Sequence, residues 1–217
     1  MSRIVCVFPM DDSTNFLEPV RMVLKKKLGA TIIRGDTTKE EHRKEIMAQL
    51  CELTEQDVFV FMGHGASYCL YGSPQGGELQ PLFGRDALSL PNRSRSLLIS
   101  CRSNDFTESQ QWVNAIGFGE IPATWEEMCK LREEDCSCYA GVDEDTIPEY
   151  QNSLVQALCG ALRLWNPSSP LRQLYQNIRL CITGQIVRLH LDQTLAQDQR
   201  QGLVEMLYDL KLEVGSH

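Results

Sequence analysis

Short apolar, β-branched runs alternate with segments of helical period along the first hundred residues, and that alternation constrains the fold more than any other feature. "RIVCVF" (Arg3 to Phe8), "ATIIRG" (from Ala30) and "DVFVFM" (Asp57 to Met62) each read as a buried strand. Between the first two, Phe16, Leu17, Val20, Val23, Leu24 and Leu28 recur at helical spacing, and Gly29 is a natural stop. Between the second and third, Ile46, Met47, Leu50 and Leu53 mark one helix face, with Thr38 and Glu41 in a capping-box pattern ahead of it. Strand, helix, strand, helix, strand is the signature of a parallel sheet with helices on its faces. "SLLIS" (Ser96 to Ser100) supplies a fourth strand and "NAIGFGEIP" a candidate fifth. The fold class is therefore α/β.

The remainder is mostly helical. Tyr150, Leu154, Leu158, Ala161, Leu162 and Trp165 mark an amphipathic helix, stopped by "NPSSP". Leu171, Leu174, Tyr175, Ile178, Cys181 and Ile182 mark another, and Leu203, Leu207 and Leu210 a last one. The span from Ile182 to Leu191 is ambiguous between helix and strand. A stretch rich in Gly, Ser and Pro follows Gly65, with room for a hairpin or short helix near Leu82 to Leu88. "EEMCKLREEDCSCYAGVDEDTIPEY" reads as an irregular acidic surface insertion. The 217 residues suit a single domain, 1–217, with a helical part over about 150–212.

The formal net charge of -8 and the sequence pI near 5.1 argue against broad binding to nucleic acid or anionic membranes, since both need a cationic face. No apolar run approaches the roughly 20 residues of a membrane span. The start, "MSRIVCVFPMDD", is too soon interrupted by charge for a signal peptide, so the expectation is a cytoplasmic protein. The nine cysteines show no repeating spacing and read as core residues or free thiols.

Two strand ends carry chemistry. In a parallel α/β sheet, functional groups gather outside the carboxyl ends of the strands. His64 closes the third strand in "GHG", and Cys101 closes the fourth in "SLLISC". If those strands are neighbours, an imidazole base and a thiol arrive on one edge of the sheet, the arrangement thiol catalysis needs. Gly63 lets the chain turn. Gly65 bares a backbone N–H which, with that of Cys101, would form an oxyanion hole. Each residue alone reads more readily as structural: a hydrogen-bonded histidine, a buried cysteine. Only their pairing at successive strand ends raises catalysis to an even alternative.

"FVFMGHGASY" followed by "SLLISCRSN" resembles the caspase-like cysteine peptidases, closest to the CHAT and separase branches. The resemblance implies a caspase–haemoglobinase fold, a three-layer α/β/α arrangement on a mostly parallel central sheet. It also implies hydrolysis of peptide bonds in a protein substrate by a Cys/His dyad, with Cys101 as nucleophile, His64 as general base and then acid, and Gly65 and Cys101 as oxyanion donors. Such domains sit in bacterial signalling or antiviral defence assemblies, where a regulatory protein partner controls access to the site. The sequence departs from true caspases. Ile99-Ser100 precedes the cysteine and Arg102-Ser103 follows it, and the interval from position 64 to position 101 is shorter than the approximately 50 residues of caspases. The alternative is a catalytically silent binding or regulatory module on the same scaffold.

Other candidates weigh less. In related peptidases the loop after the first strand lines the substrate pocket. Asp11 or Asp12 there would select a basic substrate residue, against the simpler reading that the pair caps the following helix. Cys129, Cys136 and Cys138 lack the spacing of a zinc knuckle, and "DEDTIPE" lacks the pattern of a calcium loop. No cofactor or metal is expected. Cys69 competes weakly as nucleophile, because no strand end fixes it.

Overall fold

The computed structural model describes residues 2–84, 94–134 and 139–217. A six-stranded sheet forms its centre. Strands β1 (Ile4–Val7), β2 (Thr31–Ile33), β3 (Val58–Met62), β7 (Arg95–Ile99), β8 (Ala115–Gly117) and β9 (Gly215–Ser216) lie in the order β2-β1-β3-β7-β8-β9. All neighbours are parallel except β8 and β9, which are antiparallel. A second, antiparallel sheet is a hairpin of β5 (Cys69–Gln75) and β6 (Glu78–Gly84), edged by β4 (Gly65–Ala66). This hairpin fills the Gly-rich stretch in which the sequence left helix and hairpin open. The part of that expectation beyond Gly84, to Leu88, lies outside the described residues.

Every residue of β1 and β3 is buried, as expected of a strand covered on both faces. Strand periodicity divides them between two cores. Ile4, Cys6, Val58, Val60, Met62, Leu97 and Ile99 face one layer, built on α1 (Glu18–Leu28), α5 (Ile147–Leu164), α6 (Leu171–Leu191) and α7 (Gln197–Glu213). Val5, Val7, Phe59, Phe61 and Leu98 face the other. That layer holds Ile46 and Leu50 of α2 (Glu40–Cys51), Leu70, Leu82 and Phe83 of the hairpin, and Phe106 of α3 (Ser103–Ser109). The result is an α/β domain in three layers.

Two local expectations need correction, and one open span is resolved. Thr38 does not cap α2: its hydroxyl donates to Asp36 Oδ1 at 2.6 Å, and Lys39 stands at the cap without a side-chain bond. The ambiguous span from Ile182 to Leu191 is helical and completes α6, with Ile182 and Leu189 buried on the face that continues from Leu174 and Ile178. The acidic stretch is not irregular throughout. It contains α4 (Trp125–Glu134), and Asp143 forms a capping box with Thr146 ahead of α5.

Connection order sets the site. β1 crosses through α1 to β2 on one side, and β2 crosses through α2 to β3 on the other, with α1 and α2 on opposite faces. The sheet therefore divides between β1 and β3, and ligands of such sheets bind outside the carboxyl ends at that divide.

Candidate active site

The carboxyl ends of β1, β3 and β7 line a small, partly open pocket. Thr14, Phe16 and Leu17 come from a 3-10 turn (Asp12–Leu17) after β1, Gly63 and His64 from the end of β3, and Ile99 to Cys101 from the end of β7. Ile121, Ala123 and Glu127 close it from the loop after β8 and the first turn of α4. β3 and β7 are hydrogen-bonded neighbours, Met62 opposite Ile99, and Gly63 N–H donates to the Ile99 carbonyl at 3.1 Å. This pairing brings His64 and Cys101 into one pocket.

His64 is held on its Nε2 edge and faces a carboxylate on the other. Its Nε2 lies 2.7 Å from Ser13 Oγ and 3.4 Å from Asp11 Oδ2, and its Nδ1 lies 3.9 Å from Glu127 Oε1. Ser13 Oγ is also 2.6 Å from Asp11 Oδ1, which accepts the Ser13 N–H at 2.9 Å. A hydroxyl has one proton to give. Donated to the Asp11 carboxylate, it leaves Ser13 Oγ to accept from His64, so Nε2 carries a proton and Nδ1 is the basic nitrogen. Nδ1 faces Glu127, whose carboxylate shares the pocket with Cys101.

Cys101 is half-buried, and its partner is not the imidazole. The thiol donates to the Ile121 carbonyl at 3.1 Å, and Ile121 N–H donates to the sulfur at 3.3 Å. Burial pushes this thiol well above the ordinary range, and the Glu127 carboxylate adds to the rise. The hydrogen bond from Ile121 offsets only part of it. The sulfur is therefore a neutral thiol in this arrangement, and no hydrogen bond joins it to His64 among the described residues.

Gly65 has a steric reason to be glycine. A Cβ there would lie 2.6 Å from both the Cys101 carbonyl oxygen and Ser100 Oγ. The two expected oxyanion residues thus come into direct backbone contact, with the Cys101 loop laid against the strand-end turn after His64.

No family model, curated protein or solved structure matches the chain.

The remaining candidates fall elsewhere. Asp11 caps the 3-10 turn and supports His64, Asp12 accepts from Asn15 at 3.1 Å, and neither lines the pocket. Cys69 is buried in β5, its thiol pushed up by burial and donating to the Leu70 carbonyl at 3.4 Å. Cys129 is half-buried on α4, whereas Cys136 and Cys138 lie outside the described residues. Asp143 spends one carboxylate oxygen on the Thr146 N–H and the other on Gln199. Among the described residues no helix is long and apolar enough to cross a membrane.

Three residues of the site went unnoticed in the sequence: Ser13, Ile121 and Glu127. Glu127 had a legible signal. Thr124 and Glu127 stand at capping-box spacing, and in the structure Glu127 N–H donates to Thr124 Oγ1 at 3.2 Å. Glu127 Oε2 returns the bond by accepting from Ala123 N–H at 2.7 Å and from Thr124 N–H at 3.2 Å. Ile121 has no such signal, because it acts through its backbone.

Proposed function

We propose that the protein is a cysteine endopeptidase that cuts a protein substrate with a Cys101/His64 dyad. The observation that carries this reading is the delivery of both side chains to one pocket by adjacent parallel strands. His64 Nδ1 takes the thiol proton and the sulfur attacks the scissile carbonyl carbon. Backbone N–H groups of Gly65 and Cys101 receive the oxyanion. As the tetrahedral species collapses, the imidazolium returns its proton to the departing amine and leaves a thioester on Cys101. A water deprotonated by His64 then releases the acid and restores the thiol. Ser13 and Asp11 hold the Nε2 edge through both half-reactions, which keeps Nδ1 as the working nitrogen.

A second reading, a silent binding or regulatory module, is favoured by one observation: the thiol proton goes to Ile121, not to His64. A mixed peptide library and a fluorogenic panel, assayed with the wild type, Cys101→Ala and His64→Ala, separate the two. Peptidase activity lost by about 10²- to 10⁴-fold in both variants supports the dyad. Cleavage that survives Cys101→Ala overturns it.

A further inference from the structure

We propose that the strap formed by residues 213–217 latches the loop after β8 over Cys101, and that releasing this strap frees the thiol to meet His64. The proposal rests on the dyad reading of the site and adds its regulation.

The loop in question begins where β8 ends and runs to α4. Its centre, Ile121, clamps the sulfur from both sides with its N–H and carbonyl. Its far end is firmly anchored: Glu127 accepts from Ala123 and Thr124, and Gln151 of α5 donates to the Ala123 carbonyl at 2.6 Å. Its near end is shared between the Cys101 turn and the strap. Glu213, the last residue of α7, accepts the Glu120 N–H on Oε2 at 3.1 Å. Gly119 leaves room for that carboxylate, which occupies the space a Cβ would need.

The strap touches the nucleophile's own turn as well. β9 pairs with β8, Gly215 opposite Gly117 and Ser216 opposite Ile116, and His217 exchanges both backbone bonds with Ala115 at 3.0 and 3.2 Å. His217 Nε2 then lies 2.7 Å from Asn104 Oδ1, three positions after Cys101 on α3. Asn104 N–H in turn donates to the Phe118 carbonyl at 2.9 Å, and Arg102 N–H to the Gly119 carbonyl at 2.8 Å. One five-residue segment thus grips both the loop that covers the sulfur and the turn that carries it.

The grip is built for release. β9 is two residues long, at the edge of the sheet, and antiparallel where the rest is parallel. Val214 is the one buried residue of the 213–217 strap, while Glu213, Ser216 and His217 are exposed. Short exposed pairings of this kind open far below the cost of global unfolding. Opening removes the Glu213 bond and the β9 pairing together, while the Arg102, Ser103 and Asn104 backbone and hydroxyl contacts and the Arg102–Glu120 ion pair at 3.6 Å remain on the near end of the Ile121 loop.

The test measures iodoacetamide alkylation of Cys101 at neutral pH in the full chain, by peptide mapping, with Cys6 as internal control. Cys6 is fully buried in the core, with its thiol raised to about 12 by burial, so it reports unfolding. Glu213→Ala and His217→Pro should each raise the Cys101 rate by about tenfold or more with Cys6 unchanged, as expected when a local opening is made easier. Unchanged Cys101 rates in both overturn the strap, and so does a rise that Cys6 follows in parallel. Hydrogen exchange on the wild type gives an independent reading. Glu120, Ile121 and His217 amides should exchange together; protection of Ile121 far beyond that of His217 overturns the proposal. Fast Cys101 alkylation in the variants without hydrolysis of any peptide supports the strap and overturns the peptidase reading instead.

Discussion

Ser13 holds the Nε2 edge of His64, oxygen to nitrogen 2.7 Å, while its only hydroxyl proton goes to Asp11 Oδ1 at 2.6 Å. Two residues of the loop after β1 thereby select the tautomer of a residue on β3. Ser13→Ala removes that selection and frees the ring to turn. Nitrogen-15 NMR of the imidazole should show an Nε2–H tautomer in the wild type and a mixture in the variant. Turnover should fall by about fivefold with KM unchanged, the equivalent of one ordinary hydrogen bond of about 1 kcal/mol. A wild-type ring protonated on Nδ1 would contradict the assignment.

Glu127 opposes the ionisation of Cys101, second only to burial. A negative charge beside a thiol disfavours the thiolate and raises the pH at which the sulfur reacts. Glu127→Gln removes the charge and keeps an oxygen for the Ala123 and Thr124 N–H groups. The alkylation profile of Cys101 should therefore move to lower pH. The rate at pH 7.5 should rise by about three- to tenfold, the thiolate gain of up to one pKa unit. The thermal midpoint should stay close to that of the wild type. A profile that moves to higher pH would show that Glu127 aids ionisation.

Legibility of the sequence followed the physics of each part. β1, β3 and β7 were readable because strands buried on both faces must be apolar throughout, and "IVCV", "VFVFM" and "RSLLI" are nearly so. The adjacency of β3 and β7 was only a condition in the sequence; the structure supplies it, and with it the meeting of His64 and Cys101 in one pocket. β9 was invisible. Gly215 and Ser216 carry no strand preference, and their pairing depends on where α7 delivers the chain. The Ile121 clamp was equally silent, because a backbone N–H and carbonyl leave no mark on residue type. Thr38 misled: its Asx-type bond to Asp36 competes with capping, and pattern alone does not decide between them. The sequence offers an exposed N–H as the reason for Gly65, but close packing against Cys101 and Ser100 by itself requires a glycine there.

Gly65→Ala tests that contact. Its Cβ would stand 2.6 Å from the Cys101 carbonyl, inside any tolerable approach, and backbone cannot swing aside as a side chain can. The Cys101 turn must shift. Loss of about 1–3 kcal/mol in urea unfolding is expected, together with a changed alkylation rate at Cys101. Stability within about 0.5 kcal/mol of the wild type and an unchanged rate would show the two loops to be loosely packed.

Asp57 ties the start of β3 to β1, and its stabilising effect should depend on pH. Burial would raise its carboxyl, yet hydrogen bonds from Thr54 N–H and hydroxyl and from Arg3 N–H, helped by the Arg3 charge, bring it below the usual range. A carboxyl depressed on folding stabilises the protein fully above its unfolded value, about 3.9. That contribution is lost as pH falls through the lower folded value. Asp57→Ala strands three donors and should cost about 1–3 kcal/mol at pH 7. At pH 3 the gap should narrow, because the unfolded wild type then takes up a proton that the folded carboxylate resists, while the variant has nothing to titrate. Paired urea unfolding curves at the two pH values measure this, and an equal gap at both would mean that the site stabilises by shape and not by charge.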